Sequence, residues 1–309
     1  MEDLKEIVSK TRSYKGLSRK AQIGEIVNIL GEVDYDDAGI LNVEGLNIVV
    51  STDGIAEDLV KSDPWFAGYY SVLVNVNDVV IKGARPLGYV NVISGPREIR
   101  NKMAEGIKAG LEKYNVKLLK GHTHPDSSYA AIDAAVVGIA KKVVRGTDAR
   151  PGDEIVMAID LSGSFGLKGW VKCFDSTVKK SSKQIQDMIS AIISVIETGK
   201  VHCSRDISAP GILGSLAMLC EASGVGAEVS LDKIPAPKGS SLSEWLTSYP
   251  AMGFIFGSST SNVFETLKNS GFSVESVGRF TADKKIIVSM DHKKEIFMDL
   301  ARESVFGLR

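Results

Sequence analysis

Val74–Pro86 reads VNVNDVVIKGARP, an apolar run that carries Asn75, Asn77 and Asp78 and breaks at Lys-Gly-Ala-Arg-Pro. The residues before it, WFAGYYSVL, keep the same apolar character. The whole stretch is expected to form one helix ended by Gly83 and Pro86, since glycine and proline stop helices. A carboxylate at the edge of a core costs free energy unless it is paired, hydrogen-bonded or bound to a cation. Asp78 therefore predicts a partner.

The pattern around this helix alternates between strand and helix. DDAGILNV and NIVVSTDGI, on either side of a Glu-Gly pair, read as a hairpin or paired strands within Val33 to Ile55. GYVNVIS reads as a strand. REIRNKMAEGIKAGLEKYN reads as an amphipathic helix with Ile99, Met103, Ile107 and Leu111 on one face. VKLLKGHTH and SSYAAIDAAVVGIAKKV supply further strands. RGTDARPGDEIV interrupts two apolar strands with Gly, Pro and charge, which puts a domain boundary at 147/148 and divides the chain into residues 1–147 and 148–309. The second half continues with the strand DEIVMAIDL, a long helix around KQIQDMISAIISVIETG, a short one near SLSEWLTSY, the strand MGFIFGSS, the helix NVFETLKNSG and closing strands. No regular βαβ repeat emerges, so the expected class is α+β.

Composition narrows the function. The chain has 309 residues, 44% hydrophobic and 24% charged, with 37 basic against 38 acidic side chains. That near-neutral balance lacks the basic footprint of a nucleic-acid binder and points to small molecules or protein surfaces as partners. Cys173, Cys203 and Cys220 have no paired C-x-x-C spacing, which suits a reducing cytoplasm. Neither a signal peptide nor a membrane span is expected, because no apolar run approaches the roughly 20 residues that a span requires. The opening segment has helical spacing at Ile23, Ile26, Val27 and Leu30, and its basic patch YKGLSRK reads as a solvated linker or a loop that meets phosphate.

Five aspartates stand next to apolar strand or helix material: Asp36 and Asp37 in YDDAG, Asp53 in STDG, Asp78 in VNDVV and Asp206 in RDISAPG. Turn capping accounts for such a residue taken singly. Brought together, the carboxylates would raise one another's pKa unless a cation stabilised the charged forms, and magnesium is the oxygen-seeking cation that also holds phosphates. His122 and His124 in KGHTHPD would point the same way on a strand, but no third nitrogen or sulfur ligand stands near them. DLSGSFGLKG follows a strand and is glycine-rich, yet lacks the G-x-x-x-x-G-K-[ST] order and reads as a tight turn.

The ordered segments DDAGIL, VVSTDGIAED, VNDVVIKGARPLG, KGHTH, ARPGDEIVMA and RDISAPGILGSLAML, spanning Asp36 to Leu219, carry a resemblance. The sequence resembles the superfamily of aminoimidazole ribonucleotide (AIR) synthetase, thiamine-monophosphate kinase, selenophosphate synthetase and a hydrogenase maturation factor. Within it, the sequence looks most like the synthetase-related proteins of archaea, including a methanogenesis-marker branch. The resemblance implies a two-domain α+β fold. Its N-terminal domain builds a shared β-barrel across a homodimer, and its C-terminal domain is an α/β sandwich. It implies ATP in a cleft near the dimer interface. Asp36, Asp37, Asp53, Asp78 and Asp206 would hold Mg2+ ions that bridge the phosphates, Asn77 would support them, and the Gly121-His122-Thr123 turn would approach the same site. The implied chemistry is phosphoryl transfer to, or activation of, a small metabolite. Thiamine-monophosphate kinase, a nucleotide-binding maturation or assembly factor acting on a partner protein, or a dimeric scaffold would be the alternatives.

Particular residues depart from the named members. The first cysteine is Cys173, far from the N-terminal position expected of selenophosphate synthetase, and the chain ends SVFGLR without the maturation factor's terminal cysteine. Thiamine-monophosphate kinase would show Asp-Ile-Ser-Asp-Gly-Leu where Asp206-Ile207-Ser208-Ala209-Pro210-Gly211 stands, and an acid where His122 stands.

Overall fold

The computed structural model of the chain describes residues 2–31, 35–166 and 169–308. Val33, where the first paired strands were expected to begin, and Leu167 and Lys168 of the glycine-rich turn lie outside the described residues. The elements begin with helices α1 (Leu4–Arg12), α2 (Lys15–Ser18) and α3 (Ile23–Leu30), with a 3₁₀ turn at Arg19–Gln22 between the last two. They continue with β1 (Gly39–Val43), β2 (Leu46–Gly54), α4 (Glu57–Ser62), α5 (Pro64–Ile81), β3 (Arg85–Ser94), α6 (Arg97–Tyr114), β4 (Lys117–His124) and β5 (Ala131–Ala140). The five strands form one sheet in the order β1-β2-β5-β3-β4, antiparallel except for the parallel β3–β4 pair. Glu44 and Gly45 close the β1–β2 hairpin with φ of 51° and 86°. Positive φ at both central residues matches the right-handed twist of the flanking strands.

Helix α5 starts where Asp63 caps it, accepting from the Phe66 amide at 3.1 Å with Pro64 at the first helical position. It ends at Ile81, before Gly83 with φ 90°. Every residue from Ala67 to Ile81 is buried, so the helix lies inside the molecule and its few polar side chains must find partners there. Its close crossing with α6 depends on glycine: a Cβ on Gly106 would stand 1.9 Å from the Trp65 carbonyl oxygen, and one on Gly68 2.0 Å from that of Met103.

The C-terminal half comprises β6 (Glu154–Ile159), β7 (Ser164–Phe165), β8 (Lys172–Asp175), α7 (Ser182–Glu197), β9 (Val201–Asp206), α8 (Gly211–Ser223), β10 (Gly226–Ser230), α9 (Leu242–Leu246), β11 (Ser248–Pro250), β12 (Gly253–Ser258), α10 (Glu265–Asn269), β13 (Ser273–Thr281), β14 (Lys285–Met290) and β15 (Lys293–Asp299). A seven-stranded sheet runs β15-β14-β10-β13-β6-β12-β9, and a small one runs β11-β8-β7. The stretch read as a tight turn after β6 thus includes a short strand, β7, paired with β8.

Two cores cross the sequence boundary. Ile185, Met188, Ile192 and Val195 of α7 belong to the same apolar cluster as α5 and α6. Conversely Leu4, Ile7, Val8 and Leu17 pack with Leu213, Trp245 and Phe297 of the C-terminal half. The opening helices, grouped by sequence with residues 1–147, therefore dock on the other unit. A nine-residue helix is marginal alone. Burying each of these aliphatic side chains contributes about 1.5–3 kcal/mol before entropy is counted, which is what holds α1 in place. Helix α3 has the expected helical spacing, yet Ile26, Ile29 and Leu30 remain exposed.

One face of the first sheet packs on α5 and α6, while Leu41, Val43, Val50, Val90, Leu118 and Leu119 are exposed. Among the described residues, no helix is long and apolar enough to cross a membrane.

Candidate functional site

The acids meet at the junction of the two halves. Residues 36 and 37 precede β1, Asp53 lies near the end of β2, Asp78 occupies the last turn of α5, and Asp206 is the final residue of β9. Carboxylate oxygens of Asp37, Asp78 and Asp206 all lie within 4.8 Å of one another. Asp53 lines the adjoining cleft with Asp206, Arg19, Lys20, Tyr70 and Tyr249. Sequence reasoning thus located the acids, and the fold distributes them among different tasks.

Asp78 accepts a hydrogen bond from the Ser51 hydroxyl at 2.6 Å. Burial drives its pKa well above the usual carboxylate range, and the charges of Asp206, Asp53 and Asp37 add to the rise. Burial also pushes Asp206 well up, with Asp37 adding and Arg205 opposing. Desolvation by the cleft walls lifts Asp53 as well, against the pull of Lys20. Carboxyls forced toward their neutral forms in this way lack sufficient positive charge nearby. A hard divalent cation with oxygen ligands would supply it. The donor set of Asp37, Asp78 and Asp206, with Asp53 lining the same cleft as Asp206, fits such an ion.

Asp36 departs from the expected metal set. One of its oxygens meets the Lys82 ammonium and accepts from the Asp37 amide at 2.8 Å, and the other accepts from the Gly146 amide at 2.7 Å. Burial works against its charged form, but Lys82, Arg205 and the Gly146 amide together hold the carboxyl below its ordinary range. Asp36 anchors the chain through these contacts, and it is not among the three carboxylates that converge within 4.8 Å. Asp37, the other member of the pair, stands 3.0 Å from Lys82 and 3.1 Å from Arg205, and accepts from the Asp206 amide at 3.2 Å.

Asn77 also differs from its expected role beside the metal. Its side-chain amide donates to the Ala251 carbonyl at 2.8 Å and so ties α5 to the C-terminal half. Gly121, His122 and Thr123, expected as a turn, lie within strand β4 because the parallel ladder with β3 continues through them to His124. Register puts Asp53 opposite Ala134, Ala134 opposite Asn91 and Asn91 opposite Gly121. At about 4.8 Å per strand, Gly121 is roughly 14 Å from Asp53. Within one chain these residues do not reach the acids. The rings of His122 and His124 meet edge to face at 4.7 Å on this exposed edge strand.

Lys82, Arg205, Ser51 and Tyr249 were not singled out from the sequence. Lys82 was legible there only as part of a helix stop, although a lysine closing a largely apolar helix is itself a signal of a buried counter-ion. Arg19 and Lys20 of the basic patch line the cleft that Asp53 also lines. Burial lowers the Lys20 pKa, with Asp53 opposing. Arg19 also lies 5.2 Å from the Trp170 ring centre. The Tyr249 hydroxyl is buried at the cleft wall without a hydrogen-bond partner, which leaves a donor for a bound molecule.

Comparison with known proteins agrees with this architecture. Residues 35–140 match the N-terminal domain, and residues 150–291 the C-terminal domain, of AIR synthase related proteins. An uncharacterized protein of Methanocaldococcus jannaschii is 33% identical, with 99% of both chains covered. The selenide, water dikinase of Carboxydothermus hydrogenoformans is 24% identical over 90% of this chain and 84% of its own. Among solved structures, AaThiL complexed with AMPPCP and TMP superposes with a TM-score of 0.68 at 18% identity, covering 91% of this chain and 97% of that one. T. maritima PurL complexed with AMPPCP gives 0.78 at 18% identity over 97% of this chain, which spans 51% of that protein. The shared two-domain architecture and the matched sequence of both halves place this chain in the AIR synthase related protein family.

Proposed function

We propose that the cleft binds ATP with magnesium and directs phosphoryl transfer to, or activation of, a small metabolite. The observation that carries this reading is the convergence of Asp37, Asp78 and Asp206 within 4.8 Å, with Asp206 also lining a cleft that Asp53, Arg19 and Lys20 share. The nucleotides in the AaThiL and PurL structures support it. Magnesium would be held by Asp37, Asp78 and Asp206 with Asp53 nearby. When bound, it supplies neutralisation of charge on the phosphates. Arg19 and Lys20 bring positive charge to the same anion from the opposite wall. Tyr249 offers its unpaired hydroxyl to an oxygen in the cleft, and Tyr70, Val74 and Trp170 exclude water. No side-chain nucleophile is needed, because positioning and electrostatics supply most of the catalysis in this chemistry.

A homodimer is part of the proposal. The exposed apolar face of the first sheet supports it, since an area this rich in Leu and Val is a liability in water unless it is covered. A second copy on that face would put β4 at the interface, where residues 121–123 would lie closer to a nucleotide than they do within one chain. Sedimentation of the full chain reads this directly: a dimer is expected, and a monomer at micromolar concentration would count against it.

Titration calorimetry of the parent protein should show ATP binding only with magnesium, and Asp78→Asn or Asp206→Asn should weaken it by about tenfold or more, equivalent to about 1.4 kcal/mol. Unchanged affinity in both variants would sink the proposal. ADP release stimulated by an added metabolite would then separate an enzyme from a maturation factor that only holds nucleotide.

The raised pKa values of Asp78 and Asp206 set a pH dependence. Their protonated forms favour the fold, so this contribution is fully present below the ordinary carboxylate pKa and is lost as pH rises through the raised values. Asp36, with a lowered pKa, acts in the opposite sense and governs only the acid limb below about pH 4. Magnesium selects the charged carboxylates and should raise the melting temperature more at about pH 8 than at about pH 5. An equal rise at both values would contradict this assignment.

A further inference from the structure

Lys82 is fully buried, and its ammonium is surrounded by oxygen: a carboxylate oxygen of Asp36, one of Asp37 at 3.0 Å and the Ser204 carbonyl at 2.7 Å. An ammonium has three N–H donors. The three acceptors come from the segment before β1 and from β9, while Lys82 itself ends α5. Two carboxylates and a carbonyl converging on one buried point form the kind of oxygen cage that also suits a hard metal ion.

Charge balance points the same way. Asp36, Asp37, Asp53, Asp78 and Asp206 can bring five negative charges; Lys82 and Arg205 bring two positive charges against the Asp36–Asp37 pair, and Lys20 brings one beside Asp53. The two negative charges left over match one divalent cation. Asp37 belongs to both groups, with one oxygen directed to Lys82 and the other to Arg205.

We propose that the Lys82 ammonium is a resident cation, built into the chain at a second cation position, so that Asp36 takes no part in metal binding. Lys82 is then a positioning residue. It fixes the orientation of Asp37 toward Asp78 and Asp206 and limits the number of divalent ions that the protein side chains hold. This inference deepens, and rests on, the reading of Asp37, Asp78 and Asp206 as the magnesium site.

The test counts Mn2+ bound to the full chain in the presence of AMPPCP, by the electron paramagnetic resonance signal of the free ion. Lys82→Met is one heavy atom shorter and leaves the ammonium's own position open. It should take up a further equivalent of Mn2+ relative to the parent, and Mn2+ should raise its melting temperature more than the parent's. A role in packing alone would lower stability without changing the Mn2+ count, and that result would overturn the inference. Asp36→Asn, which keeps Lys82, should bind as many equivalents as the parent. A lost equivalent there would make Asp36 a ligand and also overturn it. Should Lys82→Met fail to fold at any Mn2+ concentration, the Asp36→Asn count decides alone. A parent that holds no Mn2+ beyond that carried by free nucleotide would defeat the magnesium–ATP reading and this inference with it, whereas a parent that binds Mn2+ with an unchanged count in Lys82→Met defeats this inference alone.

Discussion

The structure turns on a buried group of charges where its two halves meet. Lys82 closes α5, Asp36 and Asp37 lead into β1, and Arg205 lies on β9 just before Asp206. The same node recruits backbone from the connection between the halves, since the Gly146 amide donates to Asp36 and the Val144 amide to the Lys82 carbonyl. Ser204 returns a hydrogen bond to the Ile81 carbonyl at 2.6 Å. Buried ion pairs are poor sources of net stability because desolvation offsets attraction. Their value here is geometric. Removing one partner would leave an uncompensated charge inside the protein, so α5, β9 and the segment before β1 are bound to one relative placement, and Asp37, Asp78 and Asp206 are brought together as a result.

Much of this was legible in the sequence. The period and stop signals around Asp78 gave α5, and the Ile99, Met103, Ile107 and Leu111 face gave α6, because both helices take their shape from packing on one core. The hairpin around Glu44–Gly45 was equally plain, since positive φ has few chemical solutions. The opening residues were harder to place. Leu4, Ile7 and Val8 have ordinary amphipathic spacing, and spacing says that a face will be buried without saying against which partner. The site divides along the same line. Acids in unfavourable apolar settings were visible individually, while the difference between Asp36, held by Lys82 and backbone amides, and Asp37, shared with the cluster, depends on side-chain directions that no spacing rule encodes. Residues 121–123 read as strand in VKLLKGHTH, while the resemblance implied a turn there; ladder pairing with β3 holds them extended.

Family membership and mechanism rest on different grounds. A fold of this kind hosts more than one reaction, so the acceptor has to be argued from the cleft itself. Around the acids, the cleft combines aromatic walls at Tyr70 and Tyr249, cations at Arg19 and Lys20, and Ala209 where a second acid was expected by analogy with the thiamine-monophosphate kinases. Loss of that acid leaves this wall with one fewer anionic group, while Tyr249 contributes an unpaired hydroxyl. These residues set the chemistry of the cleft, whereas the charge node sets the geometry of the acids.

On the reading proposed above, the Lys82 node presents Asp37, Asp78 and Asp206 as one cation site. Crystals of the full chain grown with AMPPCP and Mn2+, with data collected where manganese scatters anomalously, test it most directly. An anomalous peak is expected among those three carboxylates, with Asp36 still on Lys82. Clear nucleotide density with its manganese peaks away from the three, or with Asp36 turned from Lys82 to bind the metal, would contradict it.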